Sequence, residues 1–326
     1  TENTYMVLMD YLRRQKNLSM YPYYERILGK TSGQQAQILL TLSEYRLKNE
    51  KDIKSYFQLL KGLDGYFDSL IEYSKEQVKR NLFLSDQSLK EVLQQIQNVI
   101  KQKENNMLVA TFNLRIADIK GINAAQKKKY CRENKKLIGT KVLPAYEKLY
   151  SHLQALNGNG KNENGLYYYK NGKEYYKVLV AQKTGSDKTI EEMIEISDRS
   201  IEKCLRKLIK LQKKYPNIIN EYRNHKKNIK IVQNPQNILN KLRQKMVKYY
   251  PKAPKVSCKI KYVHKTMEEY TSPAFYMVPE IDSYKENVIY INKAQTAELY
   301  PTLAHEGYPG HLYQNVYSVS YTHLTL

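Results

Sequence analysis

The chain has 326 residues, 41% of them hydrophobic, and carries 54 basic against 32 acidic side chains for a net charge of +22. That length and apolar content support one or two buried cores and argue against a disordered chain. No run of about 18 apolar residues and no basic start followed by an apolar stretch is present, so neither a transmembrane helix nor a signal peptide is visible.

Because the sequence opens on Thr1, it reads as the interior of a longer protein. Localisation stays open, with an extracytoplasmic or lipoprotein-like place expected if a signal precedes Thr1. The positive charge invites a nucleic-acid reading, but only 11 of the 54 basic residues are arginine, and lysine comes with abundant Asn, Ile and 31 Tyr and no Trp. That is the composition of an AT-rich genome that writes its solvated faces in lysine. The densest clusters, "QKKKYCRENKK" (Gln126 to Lys136) and "HKKNIK" (His225 to Lys230), lie in helical sequence without Gly or Arg patterning, so no nucleic-acid partner is expected. Cys131, Cys204 and Cys258 are odd in number, far apart and form no C-x-x-C, which excludes a disulfide framework or thiolate zinc site from the expectations.

In chain order, the sequence to about Asn220 reads as helix after helix, and residues 1–250 are taken as one helical region. In "SLKEVLQQIQNVI", Ser88 and Glu91 have capping-box spacing, and Leu89, Val92, Leu93, Ile96, Val99 and Ile100 repeat at i, i+3, i+4, i+7. In "TIEEMIEISDRSIEKCLRKLIKL", Thr189 and Glu192 form a second capping box, and Ile201, Cys204, Leu205, Leu208 and Leu211 continue a stripe. Both stripes are read as core, with Cys204 a buried small hydrophobe. Between them, the tyrosine-rich segment at 157–180 has Asn-Gly turn signals. Its "KNGK" reads either as a short hairpin turn or as part of a long surface loop, the latter a candidate lid over a cleft.

After Pro251 and Pro254 the period changes to two. Val256, Cys258, Ile260 and Tyr262 alternate with lysines and Ser257, which predicts a half-buried strand with Cys258 on its apolar face; "AFYMV" (Ala274 to Val278) and "NVIYIN" (Asn287 to Asn292) follow as two more. Pro301 is then placed as the first residue of a helix carrying His305 and Glu306. The expected architecture is mainly α, a multi-helix scaffold followed by a small β-sheet and the start of a metal helix, with residues 251–318 forming the catalytic part.

"TLAHEGYPGH" (Thr302 to His311) sets a His-Glu pair six residues before a second His. In H-E-x-x-H the two histidines sit four apart on one helical face. A separation of six leaves His311 roughly 120° around an unbroken helix from His305. Pro309 cannot donate to the His305 carbonyl, and Gly307 and Gly310 admit backbone angles other residues avoid, so a kink can swing the two imidazoles together. In that case His305 and His311 are Zn²⁺ ligands and Glu306 takes the proton of a metal-activated water. The other reading is a pair of ordinary histidines at a helix end.

"SPAFYMVPEIDSYKENVIYIN", "LYPTLAHEGYPGHLYQ" and the upstream "NGKEYYKVLVAQKTGSDKTIEEM" resemble the bacterial domain of unknown function 885 family, whose members carry H-E-G-x-P-G-H after such strands. The resemblance covers at least Gly165 to Tyr317. It implies a zincin-like metallopeptidase: mostly helical, with Zn²⁺ held by His305 and His311, Glu306 as general base, and a third, acidic ligand further along the family's chain. It also implies that an extended peptide substrate lies against an edge strand near the metal, with Ala274, Phe275 and Tyr276, or Tyr290 to Asn292, as candidates. Many members have a further His directly after the motif, whereas Leu312 stands here.

The leading expectation is therefore part of a zinc metallopeptidase, truncated before its third ligand and inactive as it stands; the alternative is a non-catalytic peptide- or envelope-binding protein on the same scaffold. "VSYTHLTL" (residues 319–326) resembles an in-frame translation of a sequencing adapter, and sequencing of the source gene through this region tests that reading: the same eight residues followed by a stop would contradict it.

Overall fold

The computed structural model of the protein describes residues 2–30, 33–103, 106–217, 219–221, 234–263, 265, 268, 271–280, 283–295 and 299–323. The chain divides into two compact units, Met6–Ser186 and Thr1–Tyr5 with Asp187–Leu326. The division falls at Asp187, and the change of period at Pro251 marks instead the passage from helix to strand inside the second unit. No helix of the described residues is long and apolar enough to cross a membrane.

The first unit is helical: α1 (Glu2–Ser19), α2 (Gln34–Glu44), α3 (Glu50–Lys79), α4 (Asp86–Lys101), α5 (Met107–Ala117), α6 (Ala124–Leu137), α7 (Leu143–Ala155) and α8 (Gly172–Thr184), with a short π-helical turn at Ile138–Val142 joining α6 to α7. The spine is α3. Asn49 and Asp52 close a capping box at its start, and Ile53, Phe57, Leu60, Leu63, Phe67, Leu70 and Ile71 bury one continuous face. Phe67 meets Tyr146 of α7 edge-on at 4.7 Å, and Tyr56 stacks on Phe112 of α5 at 5.4 Å. Two polar links cross this core: Gln35 donates to Gln95 at 2.7 Å and the Tyr146 hydroxyl donates to the Gln35 carbonyl at 2.7 Å.

The sequence stripe of α4 is buried as expected at Leu89, Val92, Ile96 and Val99, but the helix starts earlier. Ser85, not Ser88, is its cap, accepting from the Ser88 backbone N–H at 3.3 Å. The hairpin at "KNGK" does not form. Asn171 takes the left-handed conformation (φ 55°) and leads directly into α8, and Gly172 is pressed so close to the Leu166 carbonyl that a Cβ would sit 1.7 Å from its oxygen. Asn162, Glu163, Leu166, Tyr169 and Tyr175 of this segment line a cavity of about 970 Å³ in the first unit.

The second unit contains α9 (Ile190–Lys214), α10 (Pro235–Met246), β1 (Ser257–Tyr262), β2 (Ala274–Met277), β3 (Glu286–Ile291), α11 (Leu299–Glu306) and α12 (His311–His323). The three strands stand where the alternation placed them, in the order β1-β3-β2, with β1 parallel and β2 antiparallel to the central β3. Ile289 and Ile291 of β3 bury against Ile238 and Leu239 of α10, Leu303 of α11 and Leu312 and Val316 of α12. Cys258 packs at the edge of this core, where burial pushes its thiol up to about 11.

Two expectations fail at α9. The Thr189–Glu192 capping box forms, with hydrogen bonds of 2.7 and 3.1 Å, yet no residue of the helix is buried and Cys204 is exposed. Periodicity reveals that a face is apolar but not what covers it. The basic cluster at 126–136 lies on α6, whose basic side chains are exposed or half-buried; the cluster at 225–230 lies outside the described residues.

The Tyr56 phenol is buried between α3 and α5, and this burial pushes it up to about 12, opposed in part by the Arg115 guanidinium 5.3 Å from its ring. A folded-state value raised above the ordinary value of 10 means that the neutral form is favoured by folding. The corresponding stability is complete below about pH 10 and lost as pH rises towards about 12. Tyr56→Phe is expected to move the alkaline unfolding midpoint, followed by circular dichroism, upward relative to wild type.

Candidate metal centre

Helix α11 begins at Leu299, so Pro301 lies in its first turn, where the missing N–H costs no helical hydrogen bond. Leu303 is fully buried in the second unit's core and orients the turn that carries His305 and Glu306. The helix ends at Glu306, with the Gly307 N–H donating to the Leu303 carbonyl at 2.9 Å. The chain then turns through Tyr308, Pro309 and Gly310, with a cis bond before Pro309, and α12 starts at His311. Tyr308 and Leu312 are buried on the core side of this turn and fix the entry angle of α12.

The two glycines are needed for space rather than for backbone angle, since neither has a positive φ. A Cβ on Gly310 would lie 1.6 Å from the His305 carbonyl oxygen, and one on Gly307 would lie 2.4 Å from Leu239 Cδ2. The start of α12 therefore rests directly on the end of α11. This contact brings together what the six-residue spacing would otherwise separate: the imidazoles of His305 and His311 stand 4.6 Å apart, centre to centre, at 83°.

Glu306 completes the group. Its Oε2 accepts a hydrogen bond of 2.8 Å from the backbone N–H of Tyr276, and its Oε1 lies 3.9 Å from His305 Nε2. Ligand atoms of His305, Glu306 and His311 all fall within 4.8 Å of one another. Two neutral imidazoles are a donor pair that suits zinc, and the Glu306 carboxylate stands beside them. Among the described residues no further His, Cys, Asp or Glu joins them. His305 is the open side of the group, with 67% of its side chain exposed, against 13% for Glu306.

Of the strand residues, Ala274, Phe275 and Tyr276 lie on β2, which pairs only with β3 among the described strands and so has an outer edge. The Tyr276 N–H on that edge is taken by Glu306. Its hydroxyl points into the core, donating to Asn287 Oδ1 at 2.6 Å and accepting from Asn315 of α12 at 3.1 Å, and burial pushes it up to about 12. Tyr276 thus ties β2, β3 and α12 together and fixes the carboxylate.

Tyr290 and the backbone leading to Asn292 belong to the central strand, paired on both sides, so they offer no free edge. The Asn292 side chain is fully buried and donates to the Glu268 and Thr271 carbonyls at 2.6 and 3.2 Å, a structural strap. Asn287 and Asn315 were not anticipated, although Asn287 falls on the same alternation as Ile289 and Ile291 and so sits on the core face.

A family model of bacterial proteins of unknown function (DUF885) matches residues 2–326. No curated protein matches the chain. Among solved structures, a crystal structure from Colwellia psychrerythraea, provisionally named a lipoprotein, superposes with a TM-score of 0.78 at 16% identity, over 91% of this chain and 55% of that one. The likeness is one of fold, and the chain spans about half the length of that protein.

If the glycine contact sets the geometry, Gly310→Ala must push α12 off α11. The substitution is expected to lower stability by about 1–3 kcal/mol in urea unfolding and to weaken cobalt binding, read from its visible spectrum, by more than about tenfold. A serine at Pro309, which leaves the contact free of a new Cβ, should bind cobalt better than Gly310→Ala.

Proposed function

The chain belongs to the DUF885 family of bacterial proteins, and from that premise we propose that it forms part of a zinc-dependent metallopeptidase. The observation that carries this reading is the convergence of His305, His311 and Glu306 across a break in the helix. A pair of ordinary histidines at a helix end has no need of a glycine contact that forces their rings together, nor of a carboxylate fixed beside them by a strand N–H.

In this reading His305 and His311 hold the ion through neutral ring nitrogens. When bound, zinc supplies Lewis acidity that makes a water molecule acidic near neutral pH. Glu306 would take a proton from the attacking water and pass it to the leaving amine as the C–N bond of the peptide breaks, so that the water's hydroxyl would end on the acyl carbon and its proton on the new amine. The Tyr276 N–H holds Glu306 Oε2 and leaves Oε1 facing the histidines, which restricts the carboxylate to one orientation. An extended peptide beside β2 would run past Ala274 and Phe275, whose strand edge adjoins Glu306. The lipoprotein name of the Colwellia relative accords with an extracytoplasmic place for such an activity.

In the protein expressed from its complete gene, about one zinc per chain is expected by elemental mass spectrometry, lost in His305→Ala and in His311→Ala and kept in Glu306→Gln. Peptide hydrolysis in Glu306→Gln should fall by at least about 100-fold. No zinc in the supplemented wild type would contradict the metal assignment. Zinc without hydrolysis, or hydrolysis untouched by Glu306→Gln, would contradict the catalytic one and favour a peptide-binding scaffold.

A further inference from the structure

Helix α9 is the anomaly of the second unit. Ile194, Ser197, Ile201, Cys204, Leu208 and Leu211 follow one another at alternating steps of three and four, the 3.5-residue period of a coiled-coil seam. A capped helix of 25 residues holds more than three such heptads. Every residue from Ile194 to Lys214 is exposed, with Ile201 at 57% and Leu208 at 48%. A lone helix of this kind leaves a long apolar stripe in water.

The charges along the helix identify what fits the stripe. All five of its acidic residues lie between Glu191 and Glu202, and all five of its lysines lie between Lys203 and Lys214. A parallel partner of the same sequence would set the basic half against itself. An antiparallel one sets opposite charges together.

We propose that α9 is the seam of an antiparallel, two-fold symmetric dimer of this chain. The charges set the direction, and the seam sets the register. With Ile201 opposite the partner's Cys204, the seam residues pair as a with d throughout: Ile194 meets the partner's Leu211, and Ser197 meets the partner's Leu208. In that same register the acidic half of each helix, Glu191 to Glu202, runs alongside the basic half of the other, Lys203 to Lys214, although residues at one height, such as Asp198 and the partner's Lys207, stand on opposite flanks of the seam. Arg199 and Arg206, which also come level, occupy the outermost heptad position, and Arg206 already pairs within its own helix with Glu202 at 2.9 Å. A two-fold axis between residues 202 and 203 generates the whole arrangement, as an isologous interface requires.

Sedimentation equilibrium of the full chain over about 1–100 μM is expected to show a monomer–dimer equilibrium. Leu208→Asp should weaken it at least about tenfold with an unchanged circular dichroism spectrum, since the side chain is exposed in the single chain. Oxidation of Ile201→Cys should give a dimer cross-linked to the partner's Cys204, whereas wild type, with Cys204 alone, should not cross-link. A wild-type chain that stays monomeric throughout overturns the proposal, and so does a dimer indifferent to Leu208→Asp, which would use another surface. Wild-type cross-linking as complete as that of Ile201→Cys would indicate a parallel pair and overturn the register.

Discussion

Between the end of α11 and the start of α12 there is no room for a single carbon atom. Gly310 lies against the His305 carbonyl so closely that a Cβ would stand 1.6 Å from the oxygen, and everything at the candidate centre follows from that contact. It lets α12 begin beside the last turn of α11 rather than beyond it. His311, the first residue of α12, therefore returns to the side of His305, and a spacing unsuited to one continuous helix becomes suited to a broken one.

The core of the second unit holds the break in place. Leu303, before the turn, and Leu312 and Val316, after it, are fully buried with Ile289 of the central strand, so both helices are anchored on the same surface. Tyr276 links this core to the site. Its hydroxyl is shared with Asn287 and Asn315, which joins two strands to α12, and its backbone N–H fixes the carboxylate of Glu306. A buried polar network with each of these groups paired is rigid, and a proton-transferring carboxylate works only when its direction is fixed.

Legibility from the sequence followed the reach of each signal. Alternation found all three strands, because a half-buried strand writes its two faces directly into the residue order. The stripes of α4 and α9 were equally clear, yet one is core and the other exposed, since period reports an apolar face and not its partner. Local turn signals were the weakest guide: Asn171 and Gly172 read either as a hairpin turn or as part of a surface loop but start α8, because a left-handed residue serves a turn and a helix start alike. At the motif the three side chains do come together, but the glycines serve a different need from the one the sequence suggested. Their need is for close approach, which depends on Leu239 and on the His305 carbonyl, and no local pattern displays it. The hydrogen bond from Tyr276 to Glu306, thirty residues apart, was likewise invisible.

The central claim is that one ion is shared by two histidines on opposite sides of the break. Zinc K-edge X-ray absorption on the metal-loaded protein from the complete gene tests it most directly. The account predicts two imidazoles at about 2.0–2.1 Å from the metal in the wild type and no zinc-bound imidazole signal in His311→Ala, which no longer holds the ion. A spectrum with a single imidazole in the wild type, or one that His311→Ala leaves unchanged, would contradict it.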